Sequence, residues 1–336
     1  MDTTSHNFTW QTFEFGVITN QSHLFDVTII NENNIWAVGE IYMLDSLGRP
    51  DPNAYNAVHW DGTKWELKRI PIYLSSGYPF YPVIRSIFAF NENDVWFEAG
   101  IHWDGISFKQ VTFNIQWSGN VNKLWGSSSS DLYAVGNNGN IAHWDGRKWT
   151  KIESGTEISL SDISDNSSNE IFICGGNPSF GQGIILKSSV GINFSTFVEG
   201  ANIPEPQLFN PRLYGSFSSI WFDHNSTLYS GGNILFQNKF SKWSYVKSLP
   251  ENFIGGNPGV YYRGYITKVR GNASNDMWIV GDRNTVRHFN GLTWQQIGMP
   301  YDPQIDLVWR GMACKDNNTV IVGTHNRSAI IMMIKN

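Results

Sequence analysis

The stretch that decides the fold is Ser130-Asp131-Leu132-Tyr133-Ala134-Val135-Gly136, followed by His143-Trp144-Asp145-Gly146-Arg147-Lys148-Trp149. Its first half is an apolar–aromatic–x–apolar–Gly segment. The same pattern stands at Ile35–Gly39, Ile171–Gly175 and Met277–Gly281, with looser copies at Val95–Gly100, Leu228–Gly231 and Val320–Gly323, seven in all. The second half recurs at His59–Trp65 and His102–Phe108, with an Asn-Gly variant at His288–Trp294. Weaker versions run at Ser188–Phe194 and Gln237–Trp243. The Asp-Gly or Asn-Gly pair marks a tight hairpin turn, because such turns need positive φ at their centre.

A third element precedes each anchor segment. Counting back nine positions from the anchor residues at 36, 96, 133, 172, 229, 278 and 321 reaches Val27, Ile87, Leu124, Ile163, Ile220, Val269 and Met312. A position that is apolar in every copy is a buried strand position. Polar turn residues such as Asn31–Asn34 and Asn91–Asp94 separate this strand from the anchor. Each unit therefore reads as strand A, turn, strand B, loop, strand C, turn, strand D. The units repeat every ~48 residues, a period that suits four-stranded propeller blades, and no segment shows helical periodicity.

The expectation is an all-β, seven-bladed β-propeller with four antiparallel strands per blade, a single domain over residues 1–336. The seventh unit ends after a C strand at Ala329–Lys335 and lacks a D strand. An N-terminal strand at about 8–15 supplies it, with Trp10 in the place of Trp65, Trp149 and Trp294 and buried like them. Closure of this kind leaves no open strand edge at the seam.

Composition narrows the function classes. Of 336 residues, 41% are hydrophobic, enough for a sizeable core. Only 16% are charged, against roughly 25% in typical globular chains. Aromatics fill the gap, with 15 Trp, 13 Tyr and 21 Phe. A net charge of −5 offers no overall attraction for nucleic acid or anionic lipid. No run of apolar residues is long enough to span a membrane. Cys174 and Cys314 are too few for a disulfide framework and are expected as small buried hydrophobes. Residues 1–30 show no basic start followed by an apolar run.

The repeat resembles a group of bacterial, mostly exported seven-bladed propellers built from "DVWAVG…HWDGxxW" units. The resemblance runs through Ser130–Gly136, His143–Trp149 and Asn275–Gly281 and covers nearly the whole chain. It implies an extracellular or cell-surface location after export, and Asp2–Trp10 resembles the junction where such propellers follow a signal peptide, lipid anchor or immunoglobulin-like module. The group has no common catalytic signature. The turn is similar to the Asp-box of sialidases, but here Asp and Gly are adjacent, and no sialidase site maps onto this chain.

Residues that recur with the repeat are read as structural. His59, His102, His143 and His288 share one repeat position and are expected to bond a neighbouring turn. Asp61, Asp104 and Asp145 are turn residues, and the recurring Trp residues are packing. No metal-ligand spacing appears, and no cofactor is expected. The Gly-rich stretches at Gly175-Gly176 and Gly255-Gly256 lack the ending of a phosphate loop. Asp51, Asp162, Glu205 and Asp306 are the carboxylates that distant blades could bring together for catalysis.

Loop length is the off-repeat signal. The long connections are Glu40–Ala57, Pro71–Val83, Gly176–Gly183, Gly200–Gly215, Pro250–Gly264 and Met299–Asp306. All join B to C or D to A, and in an A-B-C-D meander these emerge on one face. Structured loops on a rigid scaffold are where function concentrates. Tyr81, Arg85, Tyr262, Arg263, Trp309 and Arg310 on that face form the expected ligand-binding set. Arg85 and Arg310 each lie eleven positions before an anchor, so they should stand at one height near the channel mouth. The function expected is a non-enzymatic binding module for a glycan or protein ligand, acting as a monomer. A carbohydrate-active enzyme (hydrolase or lyase) with carboxylates at the channel mouth is the first alternative. A structural spacer in a larger exported protein is the second.

Overall fold

The computed structural model describes residues 3–16, 21–74, 76–177, 181–189, 192–200, 215–223, 226–246, 265–298 and 306–335. Seven four-stranded antiparallel sheets account for nearly all of its secondary structure. The chain is a seven-bladed β-propeller.

Blades 1–6 each pair in the order A-B-C-D. Blade 1, for example, uses His23–Asn31, Asn34–Ile41, Tyr55–Trp60 and Trp65–Lys68. Blade 7 takes Leu307–Lys315, Asn318–His325 and Ser328–Lys335 as A, B and C, and Thr9–Phe15 as D. The closing pair runs from Thr9 opposite Lys335 to Phe15 opposite Ala329.

The nine-back positions are all buried, from 0% exposed at Leu124, Ile220 and Val269 to 3% at Val27 and Met312. They pack between neighbouring blades. Val27, Ile29 and Ile35 of blade 1 share one cluster with Val320, Val322 and Ile331 of blade 7, so the seam has a core like any other blade junction. Phe13 and Phe15 pack against that cluster. Trp10 departs from expectation and is 42% exposed. Phe8 packs in its stead, its ring 4.8 Å from Trp278 and 4.7 Å from His288. The strand thus anchors through its alternate residues and through the segment just before it.

The C–D turns also differ from a two-residue hairpin. Four residues, Asp61–Lys64, join the paired Trp60 and Trp65. Asp61 Oδ1 accepts the Thr63 and Lys64 N–H groups at 2.8 and 2.9 Å, and Gly62 takes φ 95°. Asp104, Asp145 and Asn290 do the same in their blades. The Asp/Asn-Gly pair recurs because one residue caps the turn and the next enters the left-handed region.

These turns fix which connections share a face. Trp60, Trp103 and Trp144 donate their indole N–H to the carbonyls of Glu32, Glu92 and Ser129 in the A–B turns, at 3.1–3.2 Å. The A–B and C–D turns therefore lie together on one face. The B–C and D–A connections emerge on the other.

The repeated histidines hold this frame. His59, His102, His143 and His288 bond Asn34, Asp94, Asp131 and Asp276 at 2.8–3.0 Å. Each imidazole also packs on its own anchor ring, with centroids 4.2–4.6 Å apart. Cys174 is buried and Cys314 half-buried, and neither forms a disulfide. Burial pushes both thiols up, Cys314 to about 12. Among the described residues no helix is long and apolar enough to cross a membrane, and no cluster of three metal-binding side chains forms.

Candidate functional site at the channel mouth

Strand A of each blade lines the central channel. Six of these strands carry a register shift near their start, for example between Leu24 and Asp26 and between Trp309 and Gly311. An extra residue in one strand breaks the alternation of faces. As a result two consecutive side chains in these six blades, eleven and ten positions before the anchor, turn to the axis, and in blade 2 Arg85 and Ser86 hold the same places just before strand A begins at Ile87. The residue twelve before the anchor turns back into the core.

The ten-back positions form a ring of Asp26, Ser86, Lys123, Asp162, Ser219, Lys268 and Gly311. An Asp–Ser–Lys order thus appears twice over six blades. The two copies bond alike. Asp26 accepts Ser86 Oγ and Ile87 N–H at 3.4 and 3.1 Å, and Asp162 accepts Ser219 Oγ and Ile220 N–H at 2.7 and 3.1 Å. The serine in turn accepts the N–H of Leu124 or Val269. Each chain of bonds ties three successive blades at the axis.

The copies differ at the lysine. Lys123 Nζ sits 2.7 and 2.6 Å from the two oxygens of Asp26. Lys268 Nζ stands 3.6 Å from Asp162, because Arg270 reaches the same carboxylate at 2.8 Å. The cations hold the buried Asp162 carboxyl well below its usual range. Burial, together with the neighbouring Arg270 and Lys123, pulls the Lys268 ammonium down.

The eleven-back positions form the mouth above this ring. Asn122, Ser218 and Thr267 each donate to the twelve-back carbonyl of the next blade, at Leu160, Ile266 and Trp309. In blades 7, 1 and 2 the same position holds Arg310, Phe25 and Arg85, which make no such tie among the described residues. Instead both guanidinium groups face the Phe25 ring, Arg85 at 4.5 Å and Arg310 at 5.8 Å from its centroid. Neither enters an ion pair among the described residues. Arg310 Nε makes one long bond, 3.4 Å, to Thr324. Burial and the nearby Arg85 lower its basicity.

Together Phe25, Asp26, Arg85, Asn122, Lys123, Ser161, Thr267, Lys268 and Arg310 line a cavity of about 290 Å³ at the mouth. Beneath Arg85 lies Glu98, in a position held by Val38, Val135, Cys174 and Val280 in other blades. Glu98 takes φ 52°, and its carboxyl accepts the Arg85 N–H at 2.8 Å. Burial pushes that carboxyl up to about 7.

The expected set is thus divided. Arg85 and Arg310 come together at one height, two blades apart. Trp309 does not join them. It is 0% exposed, packs between blades 6 and 7 and donates its indole N–H to Asn284 at 3.1 Å. The reason is its twelve-back position, where Leu24, Ile84 and Leu160 are equally buried. Tyr81 does not line the mouth cavity either and stands 5.9 Å from Arg69, which packs on Tyr55 and pairs with Asp51. Tyr262 and Arg263 lie outside the described residues, as does Glu205. Of the other carboxylates, Asp51 is ion-paired in a loop, Asp162 is locked at the axis and Asp306 is exposed, so they form no shared site.

Phe25, Lys123, Lys268 and Glu98 escaped sequence reading. The signal was available for the first three: the same count that gave Arg85 and Arg310 gives Phe25, and one residue further gives the lysines. Glu98 was legible as a charge at an apolar repeat position.

No protein-family model and no curated protein matches the chain. Solved structures do. YCF48 bound to a D1 peptide aligns with a TM-score of 0.65 at 14% identity, covering 100% of this chain and 97% of that one. An inactive virginiamycin B lyase from Staphylococcus aureus, solved with quinupristin, aligns at 0.58 and 13%, covering 98% and 100%. PorZ, a surface component of the type-IX secretion system of Porphyromonas gingivalis, aligns at 0.63 and 11%, covering 91% of this chain and 45% of PorZ. At such identities the likeness is one of fold.

Proposed function

We propose that this propeller is a non-enzymatic binding module that engages a protein ligand at the channel mouth, on the face of the long B–C and D–A connections. The convergence of Arg310, Phe25 and Arg85 carries this proposal. These three consecutive blades give up the inter-blade tie made by Asn122, Ser218 and Thr267, and place two guanidinium groups without ion pairs there. Arginines beside an aromatic are the residues that dominate protein interfaces. A peptide ligand also suits the fold: YCF48, which is similar in fold, was solved bound to a D1 peptide. An exported, surface location belongs to the same proposal, on the resemblance of the repeat to exported propellers.

Two observations weigh against the alternatives. A glycan site would use an open aromatic face, and the Phe25 face is occupied by guanidinium groups. A hydrolase or lyase would need a free acid–base pair. Asp26 and Asp162 are ion-paired and hydrogen-bonded, and Asp26 alone of the carboxylates lines the cavity among the described residues.

Peptides selected against the protein from a display library test the proposal. Their affinity should fall tenfold or more in the Arg85→Ala, Arg310→Ala double variant, at about 1.4 kcal/mol per decade. It should hold in Asn33→Ala and Asn93→Ala on the turn face. Selected peptides that ignore the arginine pair, or that are cleaved on binding, would reject it.

A further inference from the structure

The two Asp–Ser–Lys ladders at the axis have the same bonds up to the lysine, where only one of them is closed. In the first, Lys123 neutralises Asp26 through contacts at 2.7 and 2.6 Å. In the second, Arg270 enters from eight positions before its anchor and takes Asp162 at 2.8 Å, leaving Lys268 at 3.6 Å. Lys268 therefore keeps only a long ion pair with Asp162, and its ammonium is held less closely than that of Lys123. It is 8% exposed, makes no hydrogen bond among the described residues, and lines the mouth cavity together with Arg85 and Arg310. Counting the charges makes the surplus plain. Lys123, Lys268, Arg85 and Arg310 line the cavity with one carboxylate, Asp26, while Glu98 lies beneath Arg85 and Asp306 near Arg310, outside the lining. A surplus of three, in a cavity of about 290 Å³ whose floor is closed by ion pairs, is costly unless an anion shares it.

We infer that the mouth is an anion-binding site in which Lys268, Arg85 and Arg310 hold a carboxylate group of the ligand, presented by an acidic peptide. The inference rests on the binding proposal above and names the chemistry of the group that enters. Arg270 acts at one remove, as a positioning residue that holds Lys268 back from close contact with Asp162 and so within reach of the ligand. The forked guanidinium groups suit a planar carboxylate. The cavity is at the small end of ligand pockets, so it accepts one acidic side chain with its neighbours outside. A peptide is favoured over an acidic sugar because the guanidinium groups leave Phe25 no face for a sugar ring.

The test uses three probes with the intact protein: an end-blocked tetra-aspartate peptide, its tetra-asparagine counterpart, and tri-galacturonate. Tetra-aspartate should bind, weaken with added salt, and exceed tetra-asparagine by tenfold or more. Lys268→Met should cost at least tenfold, and so should the Arg85→Gln, Arg310→Gln pair, whose side chains are half-buried and leave the axis intact. Arg270→Met should also weaken binding, because Lys268 then closes on Asp162. That loss would not follow if Arg270 only braced the fold, and melting curves recorded alongside separate the two. Equal binding of both peptides, no binding of tetra-aspartate, or indifference to Lys268→Met with the fold intact would overturn the inference. Preference for tri-galacturonate with the same variant sensitivities would overturn its peptide part. Library peptides that need the arginine pair but carry no carboxylate would leave the binding module standing and remove the anion site.

Discussion

Strands B and C of blades 1, 2, 3 and 6 repeat one arrangement, an aromatic anchor with a histidine packed on it and an Asp or Asn holding the imidazole. Strand A of the same four blades places Asp26, Ser86, Lys123 and Lys268 at one equivalent depth. Both regions are built from the same repeat, yet the outer one is conserved between blades and the inner one is not. In these blades the outer strands meet the same kind of neighbour, so one solution serves all four. The inner strands meet across an axis, where seven side chains share a single space and cannot all be alike. Blade 4 shows how firm the outer rule is. There Lys187 replaces the histidine and Glu170 the acid, paired at 2.7 Å, and the ammonium still sits over the anchor ring of Phe172 at 5.4 Å.

The comparison breaks most visibly if the outer strand of blade 7 is dispensable. Removing residues 1–15 deletes seven paired positions and takes Phe8, Phe13 and Phe15 from the cores of two blade junctions. Each ring contributes roughly 1–2 kcal/mol at half-burial. The truncated protein should lose its cooperative melting transition and aggregate, and an unchanged melting curve would show that the ring closes without this strand.

Asp162→Asn leaves Arg270 and Lys268 buried without their counter-charge, and denaturant titration should report a loss of about 3–5 kcal/mol. Asp26→Asn should cost less, because it strands one lysine at the open mouth. Equal losses at the two ladders would mean that Arg270 does not distinguish them.

The smallest effect is pH-dependent. Burial raises the Glu98 carboxyl to about 7, so the folded state keeps a proton that the unfolded chain releases near the ordinary carboxylate range. Stability from this group is full below about pH 4.5 and declines as pH rises toward 7, by about 2–3 kcal/mol. Lowered pKa values at His6, His23 and His59 act in the opposite sense over part of that range, but they are common to wild type and variant. Glu98→Gln should therefore lack the decline, and parallel stability profiles would remove the strained carboxyl from the mouth.

Periodicity made the architecture legible because a blade is defined by residues that recur. The nine-back count found seven core positions without error, and the missing D strand pointed to the N-terminus. The same logic failed at Trp10, where matching a Trp to its counterparts ignored that Phe8 could fill the junction. At the mouth, distance from the anchor was a sound guide to height but not to direction. Arg310 sits eleven back, where the extra residue in strand A turns side chains to the axis, and Arg85 holds the same place just before strand A of blade 2 begins at Ile87. Trp309 sits twelve back and turns to the core. That switch depends on strand register, which a single sequence does not display. The displacement of Lys268 by Arg270 was equally hidden, since it is decided by which of two cations reaches a carboxylate first.

The pairing of Thr9 with Lys335 also sets an order in time. At roughly 5–20 residues per second, synthesis separates these partners by about 16–65 seconds. Throughout that interval Thr9–Phe15 is an unpaired strand edge, free to pair with the wrong chain, while earlier blades form from neighbouring segments. Closure of the ring therefore waits on blade 7, and the ring stays open until Ser328–Lys335 emerges to meet Thr9–Phe15.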